Sequence, residues 1–383
     1  MEALTSGGPV DLQEAFLFLA GGGVFVGLFS AALLVSRRHE NTQSNRFLAG
    51  FLVLGSLNIA HPLTMQALWG HWNSGIRVLE PLQFLMAPVF ARYIRSLFVP
   101  GRPFRLRSLG HVLPMVVVLI LGQTPWLRSL DAESPLPLVT VALWAALLVQ
   151  SAFYQVSSIR WLHRYRRTLP DKVSNTAGVD LEWLSWVFHF MFALYFLYVV
   201  LLVLMLHSPE FPPVRTILSL ALTLLVGALS YRGLLQKKPP MLEPEEVEAP
   251  LVSETLKYER SALPDHEAKA VQKQLENLMD SQRPYLDPDL SLPSLAERLG
   301  LARNTLSYVI NQRLGRNFYD FVNEYRVKEV KRLMEDPARR DHKLLAIAFD
   351  AGFNSKPAFN AVFRKMTGLT PSDYRRGLSL PGI

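Results

Sequence analysis

Long apolar runs fill the first 235 positions, and beyond them the pattern changes to a helical period with charged residues between the apolar ones. A helix needs about 20 mostly apolar residues to cross a bilayer. Seven stretches reach or approach that length: 15–35, 46–66, 77–97, 109–125, 137–157, 184–206 and 213–231. Such runs also occur as core helices of large soluble proteins, but seven in succession with short connections predict a membrane bundle. Residues 236–264 then lose all periodicity. Their centre, "KKPPMLEPEEVEAPLVSE" at 237–254, is rich in Pro and Glu and reads as an extended, exposed linker. Helical spacing resumes at "DHEAKAVQKQLENLM" (265–279), with Asp265 as the expected N-cap and Val271, Leu275, Leu278 and Met279 on one face.

Two related cassettes follow. In "SLAERLGLARNTLSYVINQRLG" (294–315), Ala296 stands four residues before Gly300; in "AFDAGFNSKPAFNAVFRK" (348–365), Ala348 stands four before Gly352. A small residue lets two helices cross closely, and Gly takes the positive φ that a helix–turn–helix bend requires. Leu306, Val309 and Ile310 correspond to Phe359, Val362 and Phe363 after a turn one residue longer. This predicts two helix–turn–helix units, at about 291–314 and 343–366. The helical period of "FYDFVNEYRVKEVKRLM" (318–334) would hold them at fixed spacing. The side chains left on the outer faces are Arg303, Asn304, Ser307, Tyr308 and Asn311 in the first unit, and Ser355, Lys356, Asn360 and Arg364 in the second. A helix in the major groove offers such groups to base edges: Arg to guanine, Asn to adenine, Ser or Tyr to base or phosphate. One helix–turn–helix would be a weak signal, since two packed helices with a polar face are common. A doublet could read grooves one turn apart, about 34 Å.

Charge sharpens both halves. Only 19% of residues are charged, below the roughly 25% of soluble domains, yet the formal net charge is +8. Part of that excess is topological, because Lys and Arg collect on the cytoplasmic side. Arg37, Arg38 and Arg46 follow the first span; Arg92, Arg95, Arg102, Arg105 and Arg107 the third; Arg160, Arg164, Arg166, Arg167 and Lys172 the fifth; Arg232, Lys237 and Lys238 the seventh. The opposite side has Arg77, Arg128 and Arg215. The N-terminus is therefore expected outside and everything past residue 232 in the cytoplasm. Trp69, Trp72 and Trp126 fall near the outer boundary, and Trp161, Trp183 and Trp186 near the inner one, as interfacial indoles do. The first run has no basic flank before it and no small-residue cleavage site behind it, so a cleaved signal peptide is not expected. Residues 284–383 carry 16 basic and 11 acidic residues, a net +5 that suits phosphate contact.

Candidate chemistry is otherwise sparse. With no cysteine, disulfides, thiolate metal sites and cysteine nucleophiles are excluded. The nine histidines show no metal-ligand spacing. Neither a metal nor a cofactor is expected, and an enzyme would need a richer cluster at membrane depth than His61 with Glu80.

The stretch "DAGFNSKPAFNAVFRKMTGLTPSDYRR" closely resembles the signature of the AraC/XylS family of transcriptional regulators. The match runs from Ala351-Gly352-Phe353 through Phe359, Phe363, Lys365, Gly368, Thr370-Pro371 and Tyr374-Arg375, and covers roughly residues 265–376. The apolar half resembles, more loosely, the sensor of a seven-pass subset of that family, on Pro88 with Tyr93 and His111 with Pro114. The resemblance implies a DNA-binding domain of two helix–turn–helix units joined by a long helix, in a transcription factor held in the bacterial cytoplasmic membrane. Two positions depart from it. Ala302 stands where a capping Ser is usual, so the first recognition helix is expected to fray at its start; Pro357 lies in the first turn of the second, where Pro is tolerated.

The expected architecture is all-α: a seven-span sensor (1–235), a flexible linker (236–264), and a DNA-binding domain (265–383). Double-stranded DNA, the lipid bilayer and a small-molecule or peptide signal are the expected partners, with a homodimer as a further option. Ionisable groups within spans are functional suspects. Asn58 and His61 on the second span and Glu80 and Gln83 on the third all fall in outer halves, where they could form a signal-binding cavity. The other reading is an internal helix–helix hydrogen bond. His111, Gln150 and His189, nearer the inner ends, are read as packing or interface groups. A transporter with a fused autoregulatory DNA-binding module is the alternative function. It would show repeat symmetry or broken helices, for which only Pro62, Pro81, Pro88 and Pro114 speak. Whether the linker is cut is left open.

Overall fold

A computed structural model describes residues 12–37, 42–68, 80–98, 110–121, 138–176, 179–207, 214–236, 263–339 and 341–378. Among them there is no strand, and a lone antiparallel bridge joins Val173 to Ser291. Two compact units result. The first takes residues 1–162 and 181–241, the second 163–180 and 242–383. Sequence reading placed 163–180 in the first domain, as a connection between spans; in the structure it clusters with the second.

In the first unit, a helix overlaps each of the seven predicted stretches: α1 (Leu12–Ser36), α2 (Thr42–Leu68), α3 (Gln83–Phe98), α4 (Leu113–Leu121), α5 (Leu138–Thr168), α6 (Glu182–His207) and α7 (Val214–Leu235). Among the described residues, two stretches, Leu17–Ser36 and Ile217–Leu235, are long and apolar enough to cross a membrane. Helix α5 runs well past its predicted end at 157, because the good helix formers of "IRWLHRYRR" continue the helix until Pro170 stops it. Helix α1 packs against α2 and α7, and α2 against α3 and α7. Small residues allow this close approach: a Cβ on Gly27 would collide with Ser56 and Val226, and one on Gly55 with Val226.

The second unit contains α8 (Asp265–Gln282), α9 (Leu292–Arg298), α10 (Arg303–Tyr308), α11 (Phe318–Glu335), α12 (Leu344–Asp350), α13 (Lys356–Thr367) and α14 (Pro371–Leu378). The N-cap of α8 is Pro264, one residue before the predicted Asp265. The Asp265 carboxylate serves instead as an ion-pair partner of Lys269 (3.0 Å) and Arg313. Leu275, Leu278 and Met279 are buried as their spacing predicts, and Val271 is half-buried.

Two hydrophobic cores share one helix. Leu275, Met279, Leu292, Leu295, Leu306 and Ile310 close over Phe318, Phe321 and Val322 from the first half of α11. Ile347, Phe353, Phe359, Val362 and Phe363 close over Val327, Val330 and Leu333 from its second half. Helix α11 is thus the common wall of both helix–turn–helix units. Bending it would open buried apolar surface worth roughly 25 cal/mol per Å² on either side, so the two units keep a fixed spacing.

Candidate nucleic-acid interface

The two helix–turn–helix units share a turn built from a positive-φ Gly and a backbone hydrogen bond to an Ala carbonyl, and the first unit adds a side-chain cap that the second, starting at Lys343, lacks. In the first unit Ser291 caps α9: its Oγ accepts from Ser294 N (3.3 Å), and Ser294 Oγ accepts from Ser291 N (3.1 Å). The reciprocal pair satisfies two otherwise orphaned N–H groups. Gly300 then turns the chain at φ +66°, and Leu301 N donates to Ala296 O (2.9 Å). In the second unit Gly352 turns at φ +92°, and Phe353 N donates to Ala348 O (3.0 Å). The Ala-to-Gly spacing noted in the sequence is therefore the spacing of one repeated turn. Gly352 is also sterically required, since a Cβ there would collide with the Tyr285 carbonyl and lie 3.0 Å from Arg326 Nε.

The recognition helices differ in how they begin and end. Ser355 caps α13 by accepting from Ala358 N (3.4 Å), with Pro357 in the first turn, and Gly368 ends the helix in the left-handed conformation. Phe359, Val362 and Phe363 are buried, leaving Lys356, Asn360 and Arg364 exposed along one side. Lys365, next to them, is drawn to Asp320 Oδ1 on α11 (2.6 Å). On the first recognition helix, Ala302 offers no side-chain cap, as its sequence departure implies. After Tyr308 the helix widens into one π-type turn, Val309–Arg313, with Leu314 N reaching back to Val309 O (3.1 Å). Regular helical spacing from Arg303 to Asn311 is thus broken. Asn304 is exposed, while Arg303, Ser307, Tyr308 and Asn311 are half-buried, and Asn311 Nδ2 donates to Ser307 Oγ (3.3 Å).

Sequence reading missed the group that ties the halves together. Arg326, midway along α11, is fully buried. Its Nε donates to Tyr285 O (2.8 Å) and its Nη2 to Asp287 O (2.8 Å), both at the entry to the first unit. Its guanidinium also lies 5.9 Å from the ring of Phe353, in the turn of the second. Burial lowers its pKa to about 10, so it stays cationic at neutral pH. Its signal in the sequence was an Arg at i+4 from Val322 and i−4 from Val330, on the apolar stripe of α11.

The four polar residues singled out in the apolar unit are only partly brought together. Asn58 and His61 lie on α2 and Gln83 opens α3, which packs against it. Asn58 Nδ2 donates to Leu54 O (2.9 Å) and approaches Met86 Sδ (3.7 Å), an internal use of the amide. His61 is buried and Gln83 half-buried. The Glu80 side chain, and with it the expected pairing to His61, lies outside the described residues. Gln150 Nε2 donates to Phe84 O (3.1 Å), and His111 is hydrogen-bonded to Tyr154. Among the described residues, no group of His, Asp and Glu could hold a metal ion.

Residues 295–377 match a family described as a helix-turn-helix domain, spanning both units and α11. Over 92 residues the chain is 36% identical to an uncharacterized transcriptional regulatory protein, YesN, of Bacillus subtilis (strain 168), covering 24% of each protein. Over 91 residues it is 33% identical to an uncharacterized HTH-type transcriptional regulator of Staphylococcus aureus (strain COL), covering 24% of this chain and 12% of that one. The chain therefore spans a quarter or less of the length of these relatives. No solved structure gives a significant match.

Proposed function

We propose that this chain is a membrane-anchored, sequence-specific DNA-binding transcriptional regulator that couples an extracytoplasmic or membrane signal to gene expression. The observation that carries the reading is the duplicated recognition device on one shared helix, with Lys356, Asn360 and Arg364 exposed on one unit and Asn304 on the other. Arg303, Ser307, Tyr308 and Asn311 complete the reading face of the first, and Ser355 sets the start of the second. Base-edge groups on two helices at fixed separation suit successive major grooves of duplex DNA.

Membrane anchoring is supported by the large apolar side chains that the apolar unit exposes in addition to its buried apolar core. Phe18 is 83% exposed, and Phe25, Phe29, Phe153, Phe196 and Leu224 also face outward, while Ser30, Ser56, Ser151, Gln155, Ser219 and Ser230 are buried. So much exposed aromatic and aliphatic surface is unfavourable in water and favoured by lipid tails, which also suit small polar groups between helices. Two helices have the length and apolarity to span, and we extend this to all seven, with the N-terminus outside on the distribution of Lys and Arg. The bilayer in question is the bacterial cytoplasmic membrane. Asn58, His61, Glu80 and Gln83 form the site for a small-molecule or peptide signal, and pairing of two chains would lengthen the recognised DNA.

Capture of crosslinked chromosomal DNA by the full-length chain tests the DNA assignment. Asn360→Ala and Asn304→Ala remove base-edge partners, and each is expected to reduce occupancy at the preferred sites by about 1–3 kcal/mol while relaxing sequence preference there. Lys356→Ala is expected to lower occupancy more evenly. A capture profile unchanged by all three variants would overturn the assignment of these faces to DNA.

A further inference from the structure

The segment between α5 and α6 does more than connect them. Both helices lie largely in the apolar unit, yet residues 163–180 belong to the DNA-binding one, so the chain passes between units at 162/163, 180/181 and 241/242. Within the segment a single turn, Leu169–Asp171, packs on α11, and the next three residues run antiparallel to Leu290–Leu292. Ser174 N donates to Leu290 O (3.2 Å), and Leu292 N to Lys172 O (2.9 Å). Ser174 Oγ donates to Leu290 O (2.7 Å) and accepts from Arg326 Nη2 (2.9 Å). The Ser174 carbonyl accepts from Arg326 Nη1 (2.8 Å) and Asn323 Nδ2 (3.2 Å). Ser174 is 1% exposed and Asn323 1% exposed. The segment's two ends are clasped: Tyr165 OH donates to Val179 O (2.7 Å) and Arg166 Nε to Asp180 O (3.0 Å). It ends at Leu181, whose φ of 55° is rare for a residue with a side chain.

These contacts meet at the point on which the reader's geometry depends. Leu290–Leu292 leads directly into α9, and Arg326 is the group that also holds Tyr285, Asp287 and the Phe353 turn. Withdrawing Ser174 would take the shorter of two acceptors from Arg326 Nη1, leaving Asn323 Oδ1 at 3.4 Å, and one of two from Nη2, leaving the Asp287 carbonyl, so a buried guanidinium would be under-satisfied and its surroundings would have to adjust. Seating of the segment and the mutual setting of the two recognition helices are therefore one equilibrium.

We propose that residues 163–180 are a docking strap which the DNA-binding unit needs in order to hold its two halves in the DNA-binding arrangement, and that displacement of α5 relative to α6 seats or withdraws it. The effect on DNA rests on the reading given under Proposed function; the docking does not. One consequence is that cutting the linker at 236–264 does not by itself release the reader.

The natural absence of cysteine makes a direct test possible. Val173 and Ser291 are a non-hydrogen-bonded antiparallel pair, the type whose Cα atoms approach to about 4.5 Å, a separation a disulfide spans. Full-length V173C/S291C carrying a protease site within 242–262 is oxidised in detergent micelles and cut. The two fragments should stay joined on a non-reducing gel and part on a reducing one, whereas neither single-cysteine variant should join them. DNA binding is then read with a duplex enriched from a randomised library by the parent chain. Ser174→Pro, which removes both the N–H and the hydroxyl, should weaken binding at least tenfold; Ser174→Ala, which keeps the backbone bonds, should weaken it less. Oxidised V173C/S291C should bind as the parent does. Fragments that never join overturn the docking. Joined fragments with unweakened DNA binding in Ser174→Pro, or a locked chain that no longer binds, overturn the strap's role in the reader. A parent that enriches no duplex, while V173C/S291C still joins its fragments, overturns the DNA-binding reading itself, and the strap's regulatory part with it, but not the docking.

Discussion

Two turn glycines and one missing cap show how single residues set the reading surface. Gly300 and Gly352 both adopt positive φ, but a Cβ on Gly300 meets open space while one on Gly352 meets backbone. Gly300→Ala should therefore cost only the left-handed penalty, about 1–2 kcal/mol. Gly352→Ala should cost clearly more, because it must also displace Tyr285 from Arg326. Hydrogen exchange of α9 and α12 in the full-length chain would separate the two. Ala302 is the complementary case: its backbone is extended, as an N-cap requires, but it has no acceptor. Ala302→Ser should stabilise the start of α10 by about 1 kcal/mol, seen as slower exchange of amides 305–308.

At the scale of elements, the sequence was most informative where one period governed one face. The apolar stripes of α8, α9 and α13, the Ala–Gly turns and the exposed Asn304, Lys356, Asn360 and Arg364 all follow from local spacing. Three features did not. The π-type turn at Val309–Arg313 adds no residue pattern of its own, so a regular helix was the natural expectation. Arg326 stands on the apolar stripe of α11, but the acceptors that make its burial tolerable, the carbonyls of Tyr285, Asp287 and Ser174, are distant in sequence. The strap at 163–180 looks like an ordinary basic loop until Ser174 is seen against Leu290.

Helix α11 also carries a measurable pH response. Glu329 accepts from Arg332 Nε (2.9 Å) and Nη2 (2.7 Å), with Arg283 at 3.7 Å. The Arg332 hydrogen bond, opposed by burial, holds its pKa below the ordinary carboxylate value of 4.5. A carboxylate with a depressed folded pKa contributes stability that is fully present above its unfolded value and is lost as pH falls through the folded one. Glu329→Gln should cost about 1 kcal/mol at neutral pH, a figure discounted because Arg332 is half exposed. The difference from the parent should shrink steadily below pH 4.5. Pulse proteolysis of the DNA-binding unit in urea, at pH 7 and below pH 4.5, checks both the size and the sign.

For the molecule as a whole, the two halves obey opposite solvent rules. The apolar unit exposes Phe18, Phe25, Phe29, Phe153 and Phe196 while burying several serines beside Phe51, Phe90 and Phe98; the other buries two hydrophobic cores on one helix and exposes basic and amide side chains. That contrast was legible in the sequence as a change from long apolar runs to helical period. Spanning capacity was less legible for the other helices: α3 and α4 are brief, and α2 and α5 mix polar groups into the run, whereas α6 is as long and apolar as α1. The units also interleave along the chain, so a single boundary near residue 235 describes the solvent change better than the folding units. The central claim, that one intact chain resides in the membrane while reading DNA, is tested most directly by recovering crosslinked DNA from a washed membrane fraction through a tag behind Ile383. Discrete enriched sites on full-length protein in that fraction are the result expected. Enrichment found only with a soluble fragment, or no enriched sites at all, would contradict it.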